Sequence, residues 1–157
     1  DPGLQLVVAG PDEVGMRGQL EERAKAAGLA DRVHFPGMLA GDAKWGAFRG
    51  AEAFVLPSHQ ENFGIVVAEA LASSCPVLIS DKVNIFNDII RTESGFIAGD
   101  TADGAAQMIG RFMQLVPAER VALRQRARQA YVDNFSVDHA ATDLETVLYE
   151  AAGEQSR

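Results

Sequence analysis

The stretch from Ala53 to Ala72 constrains this chain most, because a strand, a loop and the start of a helix follow one another within it. Ala53-Phe54-Val55-Leu56 is apolar throughout and stops at Pro57, as a buried strand does, while apolar residues recur at helical spacing from Phe63 to Ala72. Glu61 and Gly64 lie in the turn between them, and Glu69 falls within the helix. A strand that hands over to a helix through a short loop is the repeating unit of parallel sheets. In such sheets ligands settle where the carboxyl ends of strands meet the amino ends of helices.

The same alternation runs along most of the chain. Strands are expected over 4–9, 32–35, 53–56, 77–80 and 95–98. Helices are expected over 13–27, ended by the left-handed cap residue Gly28, and over a short segment opened by Asp42 as amino cap and closed by Gly50. From Thr101 onward the pattern is wholly helical: 102–115, then 117–134 with Pro117 in its first turn, then a last helix capped by Ser136 and running to 150. The fold class is therefore α/β, a Rossmann-like doubly wound parallel sheet with helices on both faces and an all-helical C-terminal segment. No linker or repeat divides the chain, so 1–150 reads as one domain and 151–157 as a tail.

Composition narrows the functional classes. A net charge of -8 argues against nucleic acid, which is bound by clustered lysine and arginine. Arg120, Arg124, Arg126 and Arg128 share a helical stretch with alanine and glutamine, and read as a solvated helix face rather than a membrane patch. No run is long and apolar enough to span a bilayer, and Asp1-Pro2-Gly3 does not look like a signal peptide. A single cysteine, Cys75, leaves no internal disulfide and no paired-cysteine metal site, which suits a reducing, cytoplasmic setting; ahead of a buried strand it reads as core rather than nucleophile.

The loop and helix start carry the chemistry. Amides around Phe63, Gly64 and Ile65 lack partners within a first helical turn, and the helix dipole makes that end partly positive, so a diphosphate can rest there. Gly64 lets it approach closely. Glu69 lies about 7.5 Å further along the axis, its side chain leaning back toward the amino end, and two carboxylate oxygens suit the two hydroxyls of a ribose. Glu61, across the phosphates from Glu69, is placed for the hydroxyls of a sugar. Glutamates on a helix are commonly solvated, but Glu69 sits among Val66, Val67, Ala68, Ala70 and Leu71, where burial would leave a carboxylate in need of a partner.

These residues resemble a known family. Leu56-Pro57-Ser58, Glu61-Asn62-Phe63-Gly64, Val67-Ala68-Glu69-Ala70-Leu71 and Pro76-Val77 are similar to the C-terminal half of the retaining group 1 glycosyltransferases with the GT-B fold, whose signature is a pair of glutamates with seven residues between them. Leu6-Val7-Val8-Ala9-Gly10-Pro11, Arg32-Val33-His34-Phe35-Pro36-Gly37 and Gly95-Phe96 extend the similarity to about Phe135. The resemblance implies a donor domain for a nucleoside-diphosphate sugar and glycosyl transfer with retention, without metal or other cofactor. Glu61 would position the donor sugar and Glu69 the ribose, with Gly10, Met38, Leu39, Asn62, Phe63, Gly64 and Ile65 around the donor. Gly37, Met38 and Leu39 would frame the base, largely through backbone groups.

The departures from the family pattern are specific. Ser73-Ser74-Cys75 fills a turn that usually holds glycine, and the acidic position of the next loop falls to Asp88. The basic residues that neutralise the donor diphosphate belong, in the family, to a segment ahead of Leu4, and acceptor binding belongs to an N-terminal domain. The chain therefore reads as part of an enzyme, inactive alone, whose intact form the resemblance allows to lie at the inner face of a membrane. Half of a sugar-nucleotide epimerase and a non-catalytic nucleotide-binding accessory domain are alternatives. A signalling receiver does not fit, since Ala9-Gly10-Pro11 and Pro57-Ser58 stand where its acidic residues belong. His59, near Glu61, is a lesser candidate; His34 is expected to pack and His139 to be exposed.

Overall fold

A computed structural model of the chain describes residues 3–12, 14–151 and 153. The expectations placed on Asp1, Pro2, Glu13 and most of the 151–157 tail lie outside those residues. The structure is α/β with parallel strand pairs, and it divides into two compact units, Asp1–Trp45 and Gly46–Arg157.

In the first unit β1 (Leu6–Ala9) leads through α1 (Arg17–Ala26) and a short 3-10 turn (Ala30–Arg32) to β2 (Val33–Gly37). The two strands pair in parallel, with Leu6 opposite Val33 and, past an irregularity, Ala9 opposite Gly37. Helix α1 starts later than its apolar pattern suggests. Gly15 takes a left-handed φ of 69°, and the Asp12 carboxylate accepts the Arg17 amide at 3.2 Å, so the chain turns before it coils. Its end is as expected: Gly28, also left-handed, donates to the Lys25 carbonyl while Leu29 donates to that of Ala24, the paired bonds of a Schellman cap. His34 is exposed and bonded to Gln5 at 2.7 Å rather than packed. Helix α2 (Gly41–Gly50) begins one residue before Asp42, which lies in its first turn instead of capping it.

The second unit holds β3 (Phe54–Leu56), α3 (Ile65–Ala72), β4 (Val77–Ser80), α4 (Phe86–Thr92), β5 (Gly95–Ala98), α5 (Ala102–Met113), α6 (Pro117–Asn134) and α7 (Val137–Ala151). Its strands lie side by side in sequence order, all parallel, with Val55 opposite Leu78 and Leu78 opposite Phe96. Helix α4 was not expected, because its seven residues are too few to show a period; Asp88 therefore sits in a first helical turn, paired with Arg91 at 2.7 Å, not in a loop. Thr101 caps α5 by accepting the Gly104 amide at 3.0 Å, and Ser136 caps α7 by accepting that of His139 at 3.2 Å.

Every residue of β4 is buried, as a central parallel strand requires. Leu78 packs with Met108, Phe112 and Leu123, and Val55 and Phe96 lean on the same cluster. Val77 and Ile79 point to the opposite face and are equally buried, with α3 and α4 packed against β4. Close strand approach leaves no room for a side chain at Gly95, where a Cβ would run into the Val77 carbonyl.

The arginines of α6 do not form a solvated face. Each donates to carbonyls at or just beyond the C-terminal end of another helix: Arg120 to Met113 and Leu115 after α5, Arg124 to Arg49 and Ala51 after α2, Arg126 to Glu93 after α4, and Arg128 to Ala72 of α3. Helix ends leave carbonyls unsatisfied and carry partial negative charge, so guanidinium groups satisfy them both as donors and as cations. The sequence period shows only where these arginines lie on their own helix. It does not show what that helix packs beside.

Arg124 makes two such bonds, at 2.7 and 3.0 Å, and Arg126 makes one, exposed, at 2.8 Å. Urea denaturation of Arg124→Met is expected to show a loss of about 1–3 kcal/mol, and Arg126→Met a smaller one, in keeping with charge-assisted bonds. Equal and negligible losses would return the arginines to the surface.

Candidate functional site

The site is built where the loops after β3, β4 and β5 meet. Ser80, the buried last residue of β4, donates its hydroxyl to the Ser58 carbonyl and accepts the Lys82 amide at 3.4 Å. Glu61 then runs beside Val83 as an isolated parallel bridge: its amide donates to the Lys82 carbonyl at 3.2 Å, and its carbonyl accepts from Asn84 at 3.1 Å. From the β5 side, Asp81 donates its amide to Ala98 at 3.0 Å, and Asp100 meets His59 Nδ1 at 2.9 Å. The imidazole beside Asp100 holds that carboxyl below the usual aspartate range. Three loops are thus tied at one edge, and the backbone of Glu61 is fixed on both sides.

Gly64 completes the turn. It is the amino cap of α3 with φ 71° and ψ 50°, a left-handed conformation that costs other L-residues about 1–2 kcal/mol. It is also buried, and a Cβ there would stand 3.1 Å from the Val83 side chain and 3.2 Å from that of Val67. The Gly64 amide donates to Glu61 Oε1 at 3.3 Å, which amends the expectation that this amide is free. No side chain caps α3; the Val67 amide donates to the Gly64 carbonyl at 2.7 Å, and Ile65, the first residue after the cap, is exposed.

Glu61 is half-buried, whereas Asn62, Phe63 and Ile65 are exposed. Phe63 rests its ring edge-on against Phe135, with centroids 6.4 Å apart. Glu69 lies one turn into α3 on a half-buried flank, while Val67, Ala68, Ala70 and Leu71 take the buried side. The expectation of a buried, partnerless Glu69 is corrected on both counts, since it is neither fully buried nor without a partner in the chain.

Gly10, Met38 and Leu39 belong to the first unit. Gly10, with φ 148°, donates its amide to Gly37 at 3.0 Å, and Met38 follows β2 with 67% exposure. Both stand at the carboxyl end of the β1–β2 pair, as expected. Ser80, Val83 and Asp100 were missed by sequence reasoning. The one available signal was Ser80, a hydroxyl closing the otherwise apolar strand Val77-Leu78-Ile79, which had to find an acceptor. Cys75 is buried and its thiol is pushed up to about 11 by desolvation, which leaves it protonated near neutral pH and part of the core. Among the described residues, no group of three or more His, Cys, Asp or Glu side chains could hold a metal, and no helix is long and apolar enough to cross a membrane.

Because conformation and contact both demand glycine at 64, Gly64→Ala is expected to lose at least about 1–2 kcal/mol in denaturant. Gly64→Asn, which tolerates the left-handed region better, should recover only part of this, since the approach to Val83 remains. Full recovery by asparagine would show that the close approach is of no consequence.

The geometry has counterparts among known proteins. D-inositol 3-phosphate glycosyltransferase of Salinispora tropica is 35% identical over 98% of this chain, and the chain spans about a third of that protein's length. The C-terminal domain of LpcC, a group 1 family glycosyl transferase of Francisella tularensis, superposes with a TM-score of 0.72 at 24% identity over 87% of this chain and 72% of its own. Anabaena Alr3699/HepE in complex with UDP gives a TM-score of 0.79 at 18% identity over 96% of this chain and 42% of its own, a likeness of fold. The family model for glycosyl transferases group 1 matches residues 1–130. The chain belongs to the glycosyl transferases group 1 family and has the fold of the C-terminal half of a GT-B member.

Proposed function

We propose that this chain is the donor-binding portion of a retaining glycosyltransferase that transfers a sugar from a nucleoside diphosphate without a metal. The observation that carries this reading is the Glu61–Gly64 turn: a glycine-capped helix end without a side-chain cap, flanked by the exposed Phe63 and Ile65, with a carboxylate fixed beside it by the Val83 bridge. Solved relatives include a protein bound to UDP, and a diphosphate is the ligand that suits an open helix amino end.

The residues divide the work. The amides that open α3 hold the diphosphate, and their dipole favours the charge that gathers on it as the sugar departs. Glu69 takes the ribose hydroxyls. Glu61 already spends one oxygen on the Gly64 amide, which fixes its rotamer and leaves the other oxygen for a sugar hydroxyl. Neither glutamate acts as nucleophile; both position the donor. Asn62, Phe63 and Ile65, exposed around the turn, form its rim. The net charge of -8 does not oppose an anionic donor, because the field of nearby helix ends acts within a Debye length while distant charge is screened.

Calorimetric titration with uridine, guanosine and adenosine diphosphates and their sugar adducts tests this division. Glu69→Gln is expected to weaken every nucleotide about tenfold or more, the scale of one charge-assisted hydrogen bond, whereas Glu61→Gln should weaken the sugar adducts and spare the free diphosphates. Equal loss of free diphosphate in both variants contradicts the assignment.

In the intact enzyme the acceptor is held by an N-terminal domain, so proximity, a large share of the rate enhancement in bimolecular transfer, is lacking in this chain. A turnover assay with donor and candidate acceptors is expected to show no transfer by the chain alone, and binding that weakens with salt. Acceptor-dependent transfer by these residues would overturn the two-part reading.

A further inference from the structure

We infer that His59 is a positioning residue for Glu61, held in place by Asp100, and that this pair sets how well the site accepts the sugar of the donor. The inference deepens the donor reading and rests on it. The chain leaves β3 at Leu56 and next joins the sheet at Glu61, beside Val83. Residues 58–60 cross that gap outside any strand and are held by side chains. The Ser80 hydroxyl donates to the Ser58 carbonyl, the Ser58 hydroxyl donates to the Gln60 carbonyl at 2.9 Å, and His59 Nδ1 meets Asp100 Oδ2 at 2.9 Å. The first two anchor Ser58 and fold the turn on itself. Of the three, the His59 bond alone reaches past β4 to the loop after β5.

Exposure and chemistry show what holds the imidazole. The His59 side chain is 85% exposed, so packing does not fix it, and its place depends on the Asp100 bond. A carboxylate only accepts, so the ring donates from Nδ1, as the charged ring and one neutral tautomer both can. Asp100 also feels the charge of Lys82, whose carbonyl accepts the Glu61 amide at 3.2 Å, which sets the pair near the bridge.

An exposed pair of this kind adds little to global stability. Its effect is local: it narrows the arc through which the turn can move, and Glu61 follows two residues later. Glu61 has one oxygen on the Gly64 amide and offers the other to a sugar hydroxyl, a contact that needs the carboxylate held to within about 0.5 Å. The diphosphate and ribose contacts belong to α3 and do not pass through residues 58–60. Loss of the pair therefore falls on the sugar and spares the nucleotide.

The test is calorimetric titration of this chain with uridine, guanosine and adenosine diphosphates and with UDP-glucose, GDP-mannose and ADP-glucose, as wild type, His59→Ala, His59→Asn, Asp100→Ala and His59→Ala/Asp100→Ala. Each single alanine variant is expected to bind the sugar adducts about three- to tenfold more weakly, the scale of one net hydrogen bond, and the free diphosphates as the wild type does. The double variant should be no weaker than either single one, and His59→Asn, whose amide can donate from near the Nδ1 position, should restore most of the affinity. Hydrogen exchange gives a second readout without ligand: the Glu61 and Asn84 amides, which form the bridge, are expected to exchange about threefold or more faster in His59→Ala and at the wild-type rate in His59→Asn. Equal weakening of free diphosphates and sugar adducts, additive losses in the double variant, or exchange unchanged by His59→Ala would overturn the inference. Binding of none of these nucleotides by the wild type would count against the donor reading, and the exchange comparison would then decide alone whether His59 positions Glu61.

Discussion

The helices whose last carbonyls meet α6 have unequal ends, and much of the structure follows from that inequality. At their C-terminal ends, α2, α3, α4 and α5 meet arginines of α6, which donate to the last carbonyls and offset their partial negative charge. Four of the chain's 14 lysines and arginines are committed in this way. At its amino end α3 has no side-chain cap, and its cap residue is glycine. The protein satisfies one pole of that helix internally, through Arg128, and leaves the other without a side-chain cap. An acidic chain can hold an anionic ligand on these terms, because local dipoles rather than net charge set the field at the site.

The open end is useful only if it is rigid, and rigidity comes from the loops. Ser80 anchors the turn after β3 to the end of β4, the Val83 bridge fixes Glu61 on both sides, and the His59–Asp100 pair reaches across from β5. The bridge is made by backbone atoms alone, whereas the Ser80 bonds, the His59–Asp100 pair and the bond from the Gly64 amide to Glu61 depend on side chains.

Sequence alone settled what depends on local chemistry. Val77–Ser80, Gly95–Ala98 and Pro117–Asn134 were legible to the residue, because an apolar run closed by a serine, a glycine start and a proline in the first helical turn are local signals. Gly28 and Ser136 were legible as caps for the same reason, and the glutamate pair around Gly64 was enough to locate the candidate site. What lay beyond reach were the relations between distant residues: the arginines of α6 reaching four other helices, the bridge from Glu61 to Val83, the partner that Ser80 finds, and the half-exposed flank on which Glu69 sits. A period along the chain specifies which side of a helix is apolar, but not what stands opposite it. Hydrogen bonds between loops carry no periodicity at all, so only the tertiary structure could decide them.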